Sequence, residues 1–265
     1  MLVKEFKGHS GCKVELHIDK ETERKFVRKT SPNTNYNSRL KSQMKKQLLF
    51  RDNVLKTPEI YNFGTHNDKF YFDMEYIKGS SLSNFISSNS PSDILHIFEK
   101  ITHFLFRKED DADLSGAIEE KIACLKKQVS SKFHRHLYFC LDHNWSKMSS
   151  STCHGDLTFE NIIVYNSEVY LIDFLDSFVE TKYIDCAKIF QDIVSMWSWR
   201  NSSSPPVIKC MLLYNKMCER LDSNEIKTVR RLLVMCILRI FPYADTPTLK
   251  ILENRLSHME NNFEI

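Results

Sequence analysis

The stretch His154-Gly155-Asp156-Leu157-Thr158-Phe159-Glu160-Asn161 decides how the rest of the chain is read. An Asp and an Asn five residues apart, in a loop ahead of the strand-like run Ile162-Ile163-Val164-Tyr165, can face one small volume. The Asp156 carboxylate can accept a hydroxyl proton, and the Asn161 amide oxygen can hold a divalent cation. Downstream, Leu171-Ile172-Asp173-Phe174 ends the next strand-like run. A carboxylate at that point, Asp173, suits Mg²⁺ as a hard oxygen ligand. Far upstream, Lys29 closes the run Lys25-Phe26-Val27-Arg28-Lys29-Thr30, a suitable place for an ammonium that reaches phosphate. Ahead of it, Gly8-His9-Ser10-Gly11 offers a backbone able to lie close over phosphates, although a plain turn fits it equally well.

The segments around these residues alternate in a consistent order. Three runs with β-branched and aromatic content occupy the first thirty residues, with a hairpin turn expected at Asp19–Thr22. Leu40, Met44 and Leu48 at fourfold spacing predict a helix over 36–51, stopped by Thr57-Pro58. A second hairpin follows, with its turn at 65–68, and ends at Gly79. Beyond it Ser80-Ser81 reads as the cap of a short helix, and Pro91 opens a longer one through Phe106. Residues 108–113 read as a charged loop and 114–130 as a helix. A short hairpin turns at Asn166-Ser167, and from about Ile184 the chain is helical apart from the break at 202–207. The fold class expected is α+β, with an N-terminal antiparallel-sheet lobe over 1–78 and a mainly helical lobe over 79–265.

This order resembles the protein-kinase-like superfamily. The sequence His-Gly-Asp where protein kinases carry His-Arg-Asp is similar to the aminoglycoside phosphotransferase and choline kinase branch, which acts on small molecules. The likeness runs from about residue 5 to 195 and thins to "helical" beyond. Carried onto this chain, it implies Asp156 as the base or hydroxyl-orienting group, with Asn161 and Asp173 as magnesium ligands. Lys29, with Gly8, Ser10 and Gly11, would hold the phosphates of ATP. The main chain at Glu75 and Ile77 would meet adenine, and His154 and Asp185 would brace the catalytic loop. The fold implied is bilobal, and the reaction is transfer of the γ-phosphoryl group of ATP, with Mg²⁺, to a small-molecule hydroxyl.

Two departures qualify the likeness. No acidic residue falls between Thr30 and Arg51, so Gln43 occupies the place where the helix acid opposite the lysine would stand. It can accept a hydrogen bond from Lys29 but forms no ion pair. Leu175 stands where protein kinases have Gly, which argues against a flipping activation segment. Trp197 and Trp199, with Arg200 beside them, suit either stacking on a sugar ring or packing in a helical core.

Composition narrows the classes further. In 265 residues, 42% hydrophobic and 27% charged, a packed core is affordable and disorder or a rod is excluded. A net charge of +3 is too near neutral to argue for nucleic acid. No apolar run approaches a membrane span; the longest, Leu232–Leu238, reads as a buried helix segment. The eight cysteines form no Cys-x-x-Cys pair and read as reduced thiols of a cytoplasmic protein. From Cys186 onward eight Asp and Glu face eleven Lys and Arg, a poor balance for binding polycationic aminoglycosides. A choline cage would need Trp197, Trp199 and Tyr183. A sugar or sugar derivative is the preferred acceptor. An inactive pseudokinase scaffold, a choline- or aminoglycoside-type kinase and a protein-directed kinase remain as alternatives. Oligomeric state is not legible.

Overall fold

The computed structural model describes residues 1–6, 11–107, 110–146 and 148–263. In chain order the elements are β1 (Leu2–Phe6), β2 (Lys13–Ile18), β3 (Lys25–Thr30), α1 (Asn37–Leu49), β4 (Leu55–Lys56), β5 (Ile60–His66), β6 (Lys69–Glu75) and β7 (Ser80–Ser81). Then come α2 (Leu82–Ser88), α3 (Pro91–Leu105), β8 (Asp110–Ala112), α4 (Ser115–Gln128), α5 (His134–Leu141) and β9 (Met148–Ser150). The last are β10 (Ile162–Tyr165), β11 (Glu168–Leu171), α6 (Lys182–Ser195), α7 (Val207–Cys218), α8 (Ser223–Leu238) and α9 (Thr246–Phe263). This is the α+β composition expected from the sequence, with antiparallel strands early and helices late.

Two compact units emerge. One comprises Met1–Leu82 with Asn161–Asp176, the other Ser83–Glu160 with Ser177–Ile265. The β10–β11 hairpin therefore packs with the first unit, whereas the sequence reading left it in the second part of the chain. In the first unit β1-β2-β3-β6-β5 form one sheet, antiparallel at every pairing. A second sheet runs β4-β11-β10-β7, with β4 parallel to β11. Alternation along β3 and β6 puts Val27 and Lys29, and Phe70, Phe72 and Met74, on their buried faces. Leu40 and Met44 of α1 complete that core. Burying side chains of this size stabilises by about 1.5–3 kcal/mol each.

Several local readings need correction. The buried stripe of α1 is Leu40, Gln43, Met44 and Gln47, while Leu48 is exposed, because the helix repeat of 3.6 residues rotates a strict fourfold spacing off the face. The helix ends at Leu49, ahead of Thr57-Pro58, where Phe50 turns extended and inserts in the core. Ser80 and Ser81, directly ahead of α2, also pair with β10 as a short strand. The approach there is tight. A Cβ on Gly79 would lie 2.4 Å from the Val164 carbonyl oxygen, so glycine is required by contact, not by hinge freedom. Asp110–Ala112, expected as loop, pairs with Met148–Ser150.

The second unit is helical around α6, which is buried along nearly its whole length and packs against α8 and α7. Leu232–Leu238 is buried within α8, as expected. No helix among the described residues is long and apolar enough to cross a membrane.

Candidate active site

Three segments of the first unit meet at Lys29. Strand alternation turns its side chain into the core, and only 4% of the residue is exposed. Gln43, projecting from the buried stripe of α1, accepts from Lys29 Nζ at 3.2 Å. The same ammonium pairs with Asp173. Burial pulls the Lys29 ammonium down, but the Asp173 charge outweighs it and the proton is held above its ordinary value. The pocket beside this cluster has a volume of about 80 Å³ and is walled by Val14, Phe72, Met74, Ile172 and Phe174.

Asp173 lies two residues beyond β11 with φ +62°, in left-handed backbone that L residues other than Asn and Asp seldom adopt. Such local strain concentrates where a side chain has to be aimed. The chain after it is held by Lys46, which donates to the Leu175 carbonyl at 3.0 Å, and by Phe50 packed on Phe174 at 5.3 Å. The Asp173 side chain keeps 36% of its surface exposed. Asn161 is also in this unit, ahead of β10, and its carbonyl accepts from the Ile172 N–H at 3.0 Å. A carboxylate and an amide oxygen are the hard donors a magnesium ion takes, so the residues present fit that ion. No group of three or more His, Cys, Asp and Glu side chains able to share a metal occurs among the described residues. Two protein oxygens would therefore leave most of the coordination sphere to phosphates and water.

In the second unit a single helix face organises the loop that opens the sequence analysis. Asp185, Lys188 and Asp192 recur at spacings of three and four on α6 and so share one stripe. The Asp185 carboxylate accepts from the N–H groups of His154 (2.6 Å) and Gly155 (2.9 Å). Lys188 Nζ meets the Asp156 carboxylate at 2.9 Å. Asp192 accepts from the Phe159 N–H at 2.6 Å and from the Ser198 N–H at 2.8 Å. The stripe thus reads the loop in order from residue 154 to 159. Gly155 has φ +87°, which lets the chain turn between His154 and Asp156. His154 is fully buried, and its Nδ1 accepts the Asp156 N–H at 3.2 Å.

The electrostatics of this stripe differ from end to end. Burial pushes the Asp156 carboxyl up, but the Lys188 ammonium, with smaller help from His154 and Arg239, more than reverses it and the net direction is down. Lys188 moves the opposite way, its proton retained against burial by Asp156. No cation pairs with Asp192 among the described residues. Burial raises its carboxyl to about 6 despite the hydrogen bonds it accepts.

The remaining expected site residues fall as follows. Gly11 lies in the first unit ahead of β2. Gly8 and Ser10, with His9, lie outside the described residues. The Glu75 N–H is already donated to the Glu59 carbonyl at 2.8 Å, and Ile77 is half-buried just beyond β6. Trp199 is corrected to a core side chain: it is buried, donates Nε1 to Ser87 Oγ at 2.9 Å and packs edge-on against Phe159. Trp197 stays half-buried with the Arg200 guanidinium 4.6 Å from its ring, and Arg200 approaches Glu160 at 3.6 Å. Tyr183 is buried with its hydroxyl donated to Glu225, which removes it from any cage.

No protein-family model and no curated protein matches this sequence. Solved structures do match. An aminoglycoside phosphotransferase APH(4)-Ia, a thermostable mutant in complex with ADP and hygromycin B, aligns with a TM-score of 0.67 at 11% identity over 98% of this chain and 92% of that one. A structure described as a fructosamine-3-kinase of Haemophilus somnus 129PT aligns at 0.59 and 15% identity, covering 97% and 92%. Choline kinase LicA of Streptococcus pneumoniae aligns at 0.55 and 13% identity, covering 98% and 94%. The fold of this chain is therefore similar to that of these small-molecule kinase structures.

Sequence reasoning missed Lys188, Asp192 and Arg239. The signal was available for the first two: a buried-looking helix carrying charged residues at 185, 188 and 192 places them on one face. Nothing in the sequence marks Arg239, whose setting depends on how α8 packs against α6.

Proposed function

We propose that this chain is a phosphotransferase that moves the γ-phosphoryl group of ATP, with Mg²⁺, to a hydroxyl of a small molecule, with a sugar or sugar derivative as acceptor. The observation that carries this reading is the Lys29–Gln43–Asp173 cluster, built from strand, helix and post-strand loop in a kinase-like fold. Lys29 would hold phosphate oxygens, and Asn161 and Asp173 would hold the metal. Bound Mg²⁺ would supply neutralisation of the triphosphate's negative charge. The acceptor oxygen forms the new bond to phosphorus, the bond to the bridging oxygen of ADP breaks, and the hydroxyl proton leaves toward Asp156. Asp156, held ionised by Lys188, is a weak base, so its main contribution would be to orient the hydroxyl. Phosphoryl transfer asks for little more than such positioning and charge compensation.

Gln43 in place of an acid leaves Asp173 as the only carboxylate paired with Lys29 among the described residues. Nucleotide phosphates would enter with Lys29 already charged. Tyr183 and Trp199 are engaged in packing, which argues against a choline cage, and the basic balance after Cys186 argues against polycations. ADP release by the purified chain, measured with Mg-ATP against sugars, amino alcohols and aminoglycosides, tests the reading. Turnover is expected with a sugar-class acceptor, falling about 10²–10⁴-fold in Asp156→Asn. Turnover that survives this substitution removes the assigned role, and nucleotide binding without turnover on any acceptor points to a scaffold.

A further inference from the structure

Lys188 is answered by Asp156, and the same neighbourhood holds a second cation, Arg239. Arg239 follows the last residue of α8, the helix packed along α6. Its guanidinium lies 5.2 Å from the centre of the Phe178 ring, and its charge acts on both Asp156 and Lys188. Arg239 is half-buried; a positive residue at a helix C-terminus is favourable in itself, which explains the charge but not why one of its nitrogens is enclosed. Nη1 of Arg239 is buried and has no hydrogen-bond partner among the described residues. A charged donor stripped of water is costly unless something accepts from it. Asp156, the acid on which Arg239 acts, is engaged with Lys188. Lys121, 6.0 Å from the same Phe178 ring, adds further positive charge.

We propose that the acceptor carries an oxyanion, a phosphate or carboxylate, besides its hydroxyl, and that Arg239 receives this group while Asp156 orients the hydroxyl. This rests on the phosphotransferase reading above. A guanidinium offers planar N–H donors that match either oxyanion, and its unpaired nitrogen would gain the acceptor it lacks. A cationic acceptor would meet Lys188 and Arg239 with like charge and be rejected. The acceptor class that follows is an acidic or phosphorylated sugar derivative.

Glucose, glucosamine, glucuronate and glucose 6-phosphate share a ring and differ in charge, so they isolate this feature. With Mg-ATP, the two acidic compounds are expected to give kcat/KM at least about tenfold above glucose, with glucosamine lowest. Arg239→Gln is expected to raise the acceptor KM about 10–100-fold and leave the KM for ATP unchanged, with partial recovery in Arg239→Lys. Preference for a neutral or cationic member, or an effect on ATP in place of the acceptor, overturns the proposal. Titration of inorganic phosphate into the protein saturated with ADP and Mg²⁺ gives a readout independent of turnover. Phosphate binding that weakens at least tenfold in a normally melting Arg239→Gln supports the oxyanion site, while absent or unaltered binding overturns it. If that binding depends on Arg239 yet no acceptor consumes ATP, the kinase reading fails and the oxyanion site stands.

Discussion

Lys29 in the first unit and Lys188 in the second each meet one aspartate and one glutamine. For Lys29 these are Asp173 and, at 3.2 Å, Gln43; for Lys188 they are Asp156 at 2.9 Å and Gln191 at 3.3 Å. The chemistry matches, but the construction differs. The partners of Lys29 lie 14 and 144 residues away, so only the completed fold assembles that cluster. Gln191 is three residues from Lys188 on the same helix, and only the aspartate has to be brought in. Exposure differs too, 36% for the Asp173 side chain against 25% for Asp156. The first cluster leaves its carboxylate toward water, and the second uses a helix face to fix a loop.

Breaking the two pairs in turn is the sharpest probe of that difference. Asp156→Ala leaves Lys188 buried beside Arg239 with only Gln191 to face it, and is expected to cost about 3–5 kcal/mol of stability in denaturant melts. Asp173→Ala should cost less, because water reaches that carboxylate more readily. Equal losses would mean that the exposure difference carries no weight.

Asp192 sharpens the contrast through pH. Its carboxyl is raised to about 6 from an ordinary value near 3.8, so between those values the folded chain binds more protons than the unfolded one. Stability from this group therefore falls as pH rises through that window, by about 3 kcal/mol in all. Asp156, held below its ordinary value, works in the opposite sense: its stabilisation is present above that value and lost as pH falls through its folded one. Melts of wild type and Asp192→Asn between pH 4 and 6 should differ in slope, the variant being flatter. Parallel curves would show that Asp192 titrates normally.

The smallest expected effect reads backbone strain. Asp173→Gly and Asp173→Ala both remove the carboxylate, but only glycine accepts φ +62° freely. The glycine variant should be the more stable of the two by about 1 kcal/mol. The reverse order would show that the left-handed backbone is not maintained in solution.

What the sequence revealed follows the same divide. Lys29, Gln43 and Asp173 were legible because chain order in a recognisable fold stands in for contacts that spacing alone cannot supply. The loop from His154 to Asn161 was legible as a motif, yet the helix face that holds it was not, apart from Asp185. Lys188 and Asp192 follow Asp185 at spacings of three and four on the same helix, a signal outside the loop motif and therefore passed over. The strand pairing of Ser80-Ser81 with β10 was not legible, because a two-residue edge strand has no period of its own. Trp199 was ambiguous for a similar reason: an indole packs or stacks according to neighbours 40 and 112 residues away.

The central claim is that Lys29 and Asp173 form a triphosphate-and-metal site. Isothermal titration of ATP into wild type and Lys29→Met, each with and without Mg²⁺, tests it most directly. Binding that strengthens with Mg²⁺ in wild type and weakens about 10–100-fold in the variant is the predicted result. Wild-type protein that ignores Mg-ATP, or a variant that binds it equally well, would contradict the account.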